Sequence, residues 1–216
     1  SGMGVMTSDD YESGSISAAF GGNSCFVPFA AQKTGQSLAS TIQTYDDRAT
    51  LKSVVDWSYH LILTDPTPEV LAELPDVFAR GITSFKVFMT YATRVSDAQF
   101  LDILSMAGRH GGLTMVHAEN HDMLDWMGSR LVDGRNLEPR YHAPSRPGLA
   151  EEEAINRAIS LARLADAPLF IVHVSTPGGA ETIASARAAG GRVWAETCPQ
   201  YLFLTRDDLD LSLIHI

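Results

Sequence analysis

Apolar runs of about six residues recur along the chain, each closed by glycine, proline or a polar cluster. The run 84–89, Ser-Phe-Lys-Val-Phe-Met, is a β-former segment with a lysine at its centre. Similar runs at 25–29, 56–64, 113–118, 168–174 and 192–197 predict five more strands. Near-continuous hydrophobic runs of this kind belong to strands covered on both faces. Between them the pattern changes to helical spacing with start and stop signals. Thr7-Ser8-Asp9-Asp10 opens a predicted helix that ends at Gly21-Gly22, and 37–48 reads as a second. Pro66 and Pro68 open a third that runs to Arg80 and stops at Gly81. Val95-Ser96-Asp97 caps a fourth that ends at His110, before Gly111-Gly112. Segments 149–164 and 178–189 supply two more, and the proline-rich stretch 139–147 reads as a long loop of the kind that tends to be functional.

Strands alternating with helices, roughly thirty residues per unit, predict βα repeats and a parallel sheet. No G-x-G-x-x-G follows a strand, which disfavours a dinucleotide-binding doubly wound sheet. The predicted class is α/β, an incomplete (β/α)8 TIM barrel of about six parallel strands with first and last strands missing. It spans 1–211 as one domain, with 212–216 an apolar tail left uninterpreted.

The net charge of -10 over 216 residues, with no basic run, argues against nucleic acid and anionic membranes as partners. Cys25 and Cys198 are too few for a disulfide framework and are expected to be buried free thiols in a reducing compartment. No run reaches transmembrane length and no leader precedes the first helix, so the expected location is cytoplasmic.

Lys86 either leaves the strand end for water or is neutralised, paired or modified, because a buried cation is costly. The next two strands favour the second option. Val116-His117-Ala118-Glu119-Asn120 and Val172-His173-Val174-Ser175 place a histidine near the end of each. Barrel active sites are built from such ends, and imidazole suits zinc and its neighbours. A protonated lysine cannot ligate a metal. As a carbamate, formed with carbon dioxide, it becomes a carboxylate-like bridge. Glu119, Asn120 and Glu196 are candidates to support these ligands from behind. His60 reads as structural, and His110, His121, His142 and His215 as loop or surface residues. Arg146 and Glu151-Glu152-Glu153 read as loop and helix-start charges.

Five motifs in order, Phe85-Lys86-Val87-Phe88-Met89-Thr90-Tyr91, Val116-His117-Ala118-Glu119-Asn120, Ser145-Arg146-Pro147, Ile171-Val172-His173-Val174-Ser175 and Ala195-Glu196-Thr197-Cys198-Pro199-Gln200-Tyr201-Leu202, resemble the dihydropyrimidinase and D-hydantoinase family of cyclic amidohydrolases. The resemblance implies two zinc ions bridged by carboxylated Lys86, with His117 and His173 on the more buried one. It implies that a hydroxide between the ions attacks a cyclic amide or ureide, that Tyr91 stabilises the oxyanion, and that the parent is a homo-oligomer, dimer or tetramer. The family's first-strand His-x-His and strand-eight aspartate have no counterpart here. The expectation is therefore an internal fragment, inactive alone. Pro28 stands where many relatives carry an acid, and the loop 92–96 is shorter than is common in the family. Competing readings are an allantoinase- or dihydroorotase-type enzyme, a Schiff-base lysine lyase and a non-catalytic barrel scaffold.

Overall fold

A computed structural model describes residues 8–210. The tail 212–216, His215 and the first helix-start residue, Thr7, lie outside the described residues. The chain divides into two compact units, one ending at Phe85 and the other beginning at Lys86.

The first unit opens with α1 (Tyr11–Phe20), β1 (Cys25–Phe26), β2 (Phe29–Ala31), α2 (Leu38–Ala49), β3 (Asp56–Trp57) and β4 (His60–Ile62). Two predicted strands are thus each divided. Pro28 lacks the N–H needed by a ladder, and the chain between Phe26 and Phe29 leaves strand geometry. The register survives the break. β1 pairs in parallel with β3, Cys25 opposite Asp56, and β2 with β4, Phe29 opposite His60. Cys25 is exposed in the short β1 and Cys198 half-buried; both are free, and neither is the buried thiol expected. His60 is structural, with its Nδ1 on Ser84 Oγ and its ring against Phe29.

The helix expected up to Arg80 is α3 (Pro68–Ala72) followed by α4 (Leu74–Ala79). Pro75 is the cause, since it removes an amide donor and its ring crowds the preceding turn. The chain then enters β5 (Ser84–Phe88), within which the units divide.

The start of α1 is held by Asp10, whose carboxylate accepts from the Glu12 and Ser13 amides and lies 3.0 Å from Lys52 Nζ. The Ser13 amide and the Lys52 ammonium hold the Asp10 carboxyl at a pKa of about 2. Its folded value is below its unfolded one, so its stabilisation is present above about pH 4 and lost as pH falls toward 2. Asparagine also caps helices but cannot titrate. The difference in thermal midpoint between wild type and Asp10→Asn is therefore expected to close as pH is lowered from 5 to 2.

The second unit continues from β5 through α5 (Asp97–Arg109), β6 (Leu113–His117), α6 (His121–Asp133), α7 (His142–Ser145), α8 (Gly148–Leu164), β7 (Leu169–Ile171), α9 (Pro177–Ala188) and β8 (Val193–Ala195). β6, β7 and β8 pair in that order, all parallel, with Val116 opposite Ile171 and Ile171 opposite Ala195. The expected α/β class of parallel strands with intervening helices is what the chain adopts. Ser96 starts α5 through a capping box with Gln99. α6 has no counterpart among the predicted elements. Part of the expected loop 139–147 is a 3-10 turn (Pro139–Tyr141) followed by α7. Among the described residues no helix is long and apolar enough to cross a membrane.

Candidate functional site

The alternating directions of β5 bury it on both faces: Phe85 and Val87 are fully buried, and Lys86 between them is 4% exposed. Lys86 therefore does not escape to water. Burial pushes its amine down from 10.5 to about 8, and Glu196 pulls weakly the other way. Its Nζ stands 4.6 Å from the centre of the Phe88 ring.

Past the strand ends, backbone hydrogen bonds bring the candidate residues side by side. Met89 donates to the His117 carbonyl, and Val172 donates to that of Val116. Val174 donates to the Glu196 carbonyl. His117 Nδ1 and His173 Nε2 are 2.9 Å apart. His173 is held toward its neutral form first by burial and then by the charges of His117 and Lys86. That coupling puts Lys86 in the same electrostatic neighbourhood as the two imidazoles.

Glu119 decides which nitrogen of His117 is bare. Burial raises its carboxyl, but hydrogen bonds with His117 and Arg146 outweigh this and hold it below the usual range. An ionised carboxylate only accepts, so the Nε2 of His117, 2.5 Å from Glu119 Oε2, carries the proton. In the neutral ring Nδ1 then keeps its lone pair, toward His173. Arg146 donates to the same carboxylate oxygen. Its guanidinium also lies 5.2 Å from the Tyr91 ring centre. The arginine read from sequence as a loop charge thus joins Glu119 to Tyr91.

Tyr91 packs on His117, ring centres 5.1 Å apart, and on Phe88. Burial raises its phenol pKa, opposed by Arg146, so the hydroxyl keeps its proton at neutral pH. Tyr91 and His173 have φ of 70° and 43°, the left-handed region that costs a residue with a side chain about 1–2 kcal/mol. Strain of this kind gathers at functional sites. Tyr91, His117, Glu119, Arg146 and His173 line a cleft of about 1460 Å³, together with Gln200, Tyr201 and Arg206.

Two of the supporting candidates are placed otherwise. Asn120 caps α6 through Met123 N and donates to Glu153 Oε2, 2.6 Å away. Glu196 has an exposed side chain and meets the site through its backbone and its field on Lys86. Sequence reasoning missed Glu151, which accepts from Ser175 and Thr176 just after His173.

The donor set suits a cation of the zinc class: one imidazole held toward neutrality by burial, a second hydrogen-bonded from behind by a carboxylate, and a desolvated amine within their electrostatic reach. Among the described residues no three His, Cys, Asp or Glu side chains cluster closely enough to hold an ion.

No protein-family model matches the chain. It is 43% identical over 210 residues to a D-hydantoinase of Geobacillus stearothermophilus, covering 96% of this chain and 45% of that protein. A D-hydantoinase of Ralstonia pickettii is 41% identical over 208 residues, covering 95% and 46%. The crystal structure of a dihydropyrimidinase from Brevibacillus agri superposes with a TM-score of 0.94 at 43% identity, covering 97% of this chain and 46% of that one. The chain spans about half the length of the relatives it matches.

Proposed function

We propose that this chain, homologous to D-hydantoinases along 96% of its length, carries the lysine and histidine part of a site that hydrolyses a cyclic amide of the hydantoin or dihydropyrimidine kind. The observation that carries this is Lys86, buried in mid-strand within electrostatic reach of His173, whose Nε2 stands 2.9 Å from His117 Nδ1. Zinc-type cations held there would supply Lewis acidity at the ring carbonyl.

The chain's own residues prepare that chemistry. Burial favours the neutral amine of Lys86, the form that can bond to the carbon of carbon dioxide. Loss of the amine proton then leaves a carbamate with two donor oxygens, and the buried cation is gone. His117 offers Nδ1 because Glu119 holds the opposite proton, and Arg146 keeps Glu119 ionised. Tyr91 keeps its proton and can donate to the carbonyl oxygen of a substrate in the cleft as negative charge develops there.

The test is turnover of hydantoin and dihydrouracil by the whole protein before and after dialysis against a chelator. Loss of hydrolysis on metal removal, with recovery on adding Zn2+, is expected; full turnover by metal-free protein would overturn the reading. Tyr91→Phe is expected to lower kcat by about 10²–10³, the usual cost of one oxyanion donor, with bound metal unchanged. A lowered amine pKa would also serve a Schiff-base lysine. Borohydride trapping of Lys86 with a keto substrate separates the two, and no adduct is expected.

A further inference from the structure

Three consecutive glutamates open α8, and each faces a different part of the second unit. Glu153 accepts from Asn120 and pairs with Arg157. Glu152 packs against the start of α9, where a Cβ on Gly178 would lie 2.5 Å from its carboxyl carbon. Glu151 gathers four donors of the loop that follows His173. It accepts from Ser175 N at 3.0 Å, Ser175 Oγ at 2.7 Å, Thr176 N at 2.9 Å and Thr176 Oγ1 at 2.8 Å. Thr176 in turn caps α9 through Gly179 N. His173 lies two residues upstream in the left-handed region, a conformation that persists only where its surroundings over-determine it. On the other side, Val174 is fixed by the Glu196 carbonyl at 2.7 Å.

The geometry points to Glu151 as the positioning residue of His173. By holding Ser175 and Thr176 to the rigid start of α8, it keeps the His173 imidazole turned onto His117. The Asn120 amide donates to the Ala150 carbonyl one residue earlier. The first turns of α8 thus anchor the loops behind both histidines. This concerns the geometry of the polypeptide itself; only its meaning for metal affinity rests on the function proposed above.

The experiment compares wild type with Glu151→Ala, Glu151→Gln and Glu151→Asp in the full chain. The readouts are amide exchange at Ser175 and Thr176, the imidazole 15N signals of His173, and Zn2+ titration by calorimetry. Expected for Glu151→Ala is at least tenfold faster exchange at the two amides, displaced His173 signals and at least tenfold weaker Zn2+ binding. Exchange at the β8 amides should stay unchanged. Asp, which keeps the charge with a shorter reach, is expected to restore part of the protection. Unmoved His173 signals with wild-type protection of Ser175 and Thr176 overturn the assignment; if Glu151→Ala does not fold, Glu151→Gln decides on the same readouts. Moved signals in a chain that never binds Zn2+ would sustain the positioning role and sink the hydrolase reading. Unmoved signals with normal Zn2+ binding would do the reverse.

Discussion

In the complete parent protein, Lys86→Ala is expected to lose bound zinc and hydantoin hydrolysis together, to below detection, without unfolding. Metal analysis and turnover of the purified variant check this; normal metal content with normal turnover would remove Lys86 from the site. The thermal midpoint separates this from a trivial loss of structure. Burying the 4%-exposed amine as a cation is costly, and the Glu196 carboxylate offsets that cost in part. Lys86→Met, which keeps the volume and drops the charge, is expected to melt at or above wild type in the absence of metal.

Glu119→Gln is the second large effect. The amide matches the carboxylate in shape but can present an N–H to His117 Nε2, so the ring is no longer forced to keep its proton there. Nδ1 then ceases to be reliably the bare nitrogen. Replacing such supporting groups typically costs about 10–100-fold in metal affinity, and that is the expected drop in a Zn2+ titration. Arg146 loses its ionic partner in the same step, so Tyr91 is expected to be less well placed and kcat to fall as well. Unchanged zinc affinity in Glu119→Gln would show that His117 holds its tautomer by other means.

The strands and the polar residues set within them were legible because both are local. An apolar run interrupted by one polar residue marks Lys86, His117 and His173 without any knowledge of what packs on them. Capping signals placed α5 within a residue or two for the same reason. The breaks at Pro28 and Pro75 were printed in the chain but were outvoted by the apolar residues around them. The helix α6 had a start signal in Asn120 and apolar spacing in Met123, Leu124, Met127 and Leu131. Only Leu124 of that helix is buried, so its pattern is weak. Arg146 and Glu151 lay out of reach altogether. Their partners, Glu119 and Ser175–Thr176, stand 27 and 24–25 positions away, and nothing in a run of charges says which of three glutamates a distant loop will choose.

The positive φ angles of Tyr91 and His173 carry a warning for anyone engineering this protein. Glycine is the residue a backbone in that region prefers, so Tyr91→Gly and His173→Gly would relieve the backbone while removing the ring contacts each side chain makes. On the function proposed above, a screen ranked by heat tolerance alone would be blind to the second effect and would keep a relaxed backbone at the expense of a ring the reaction uses.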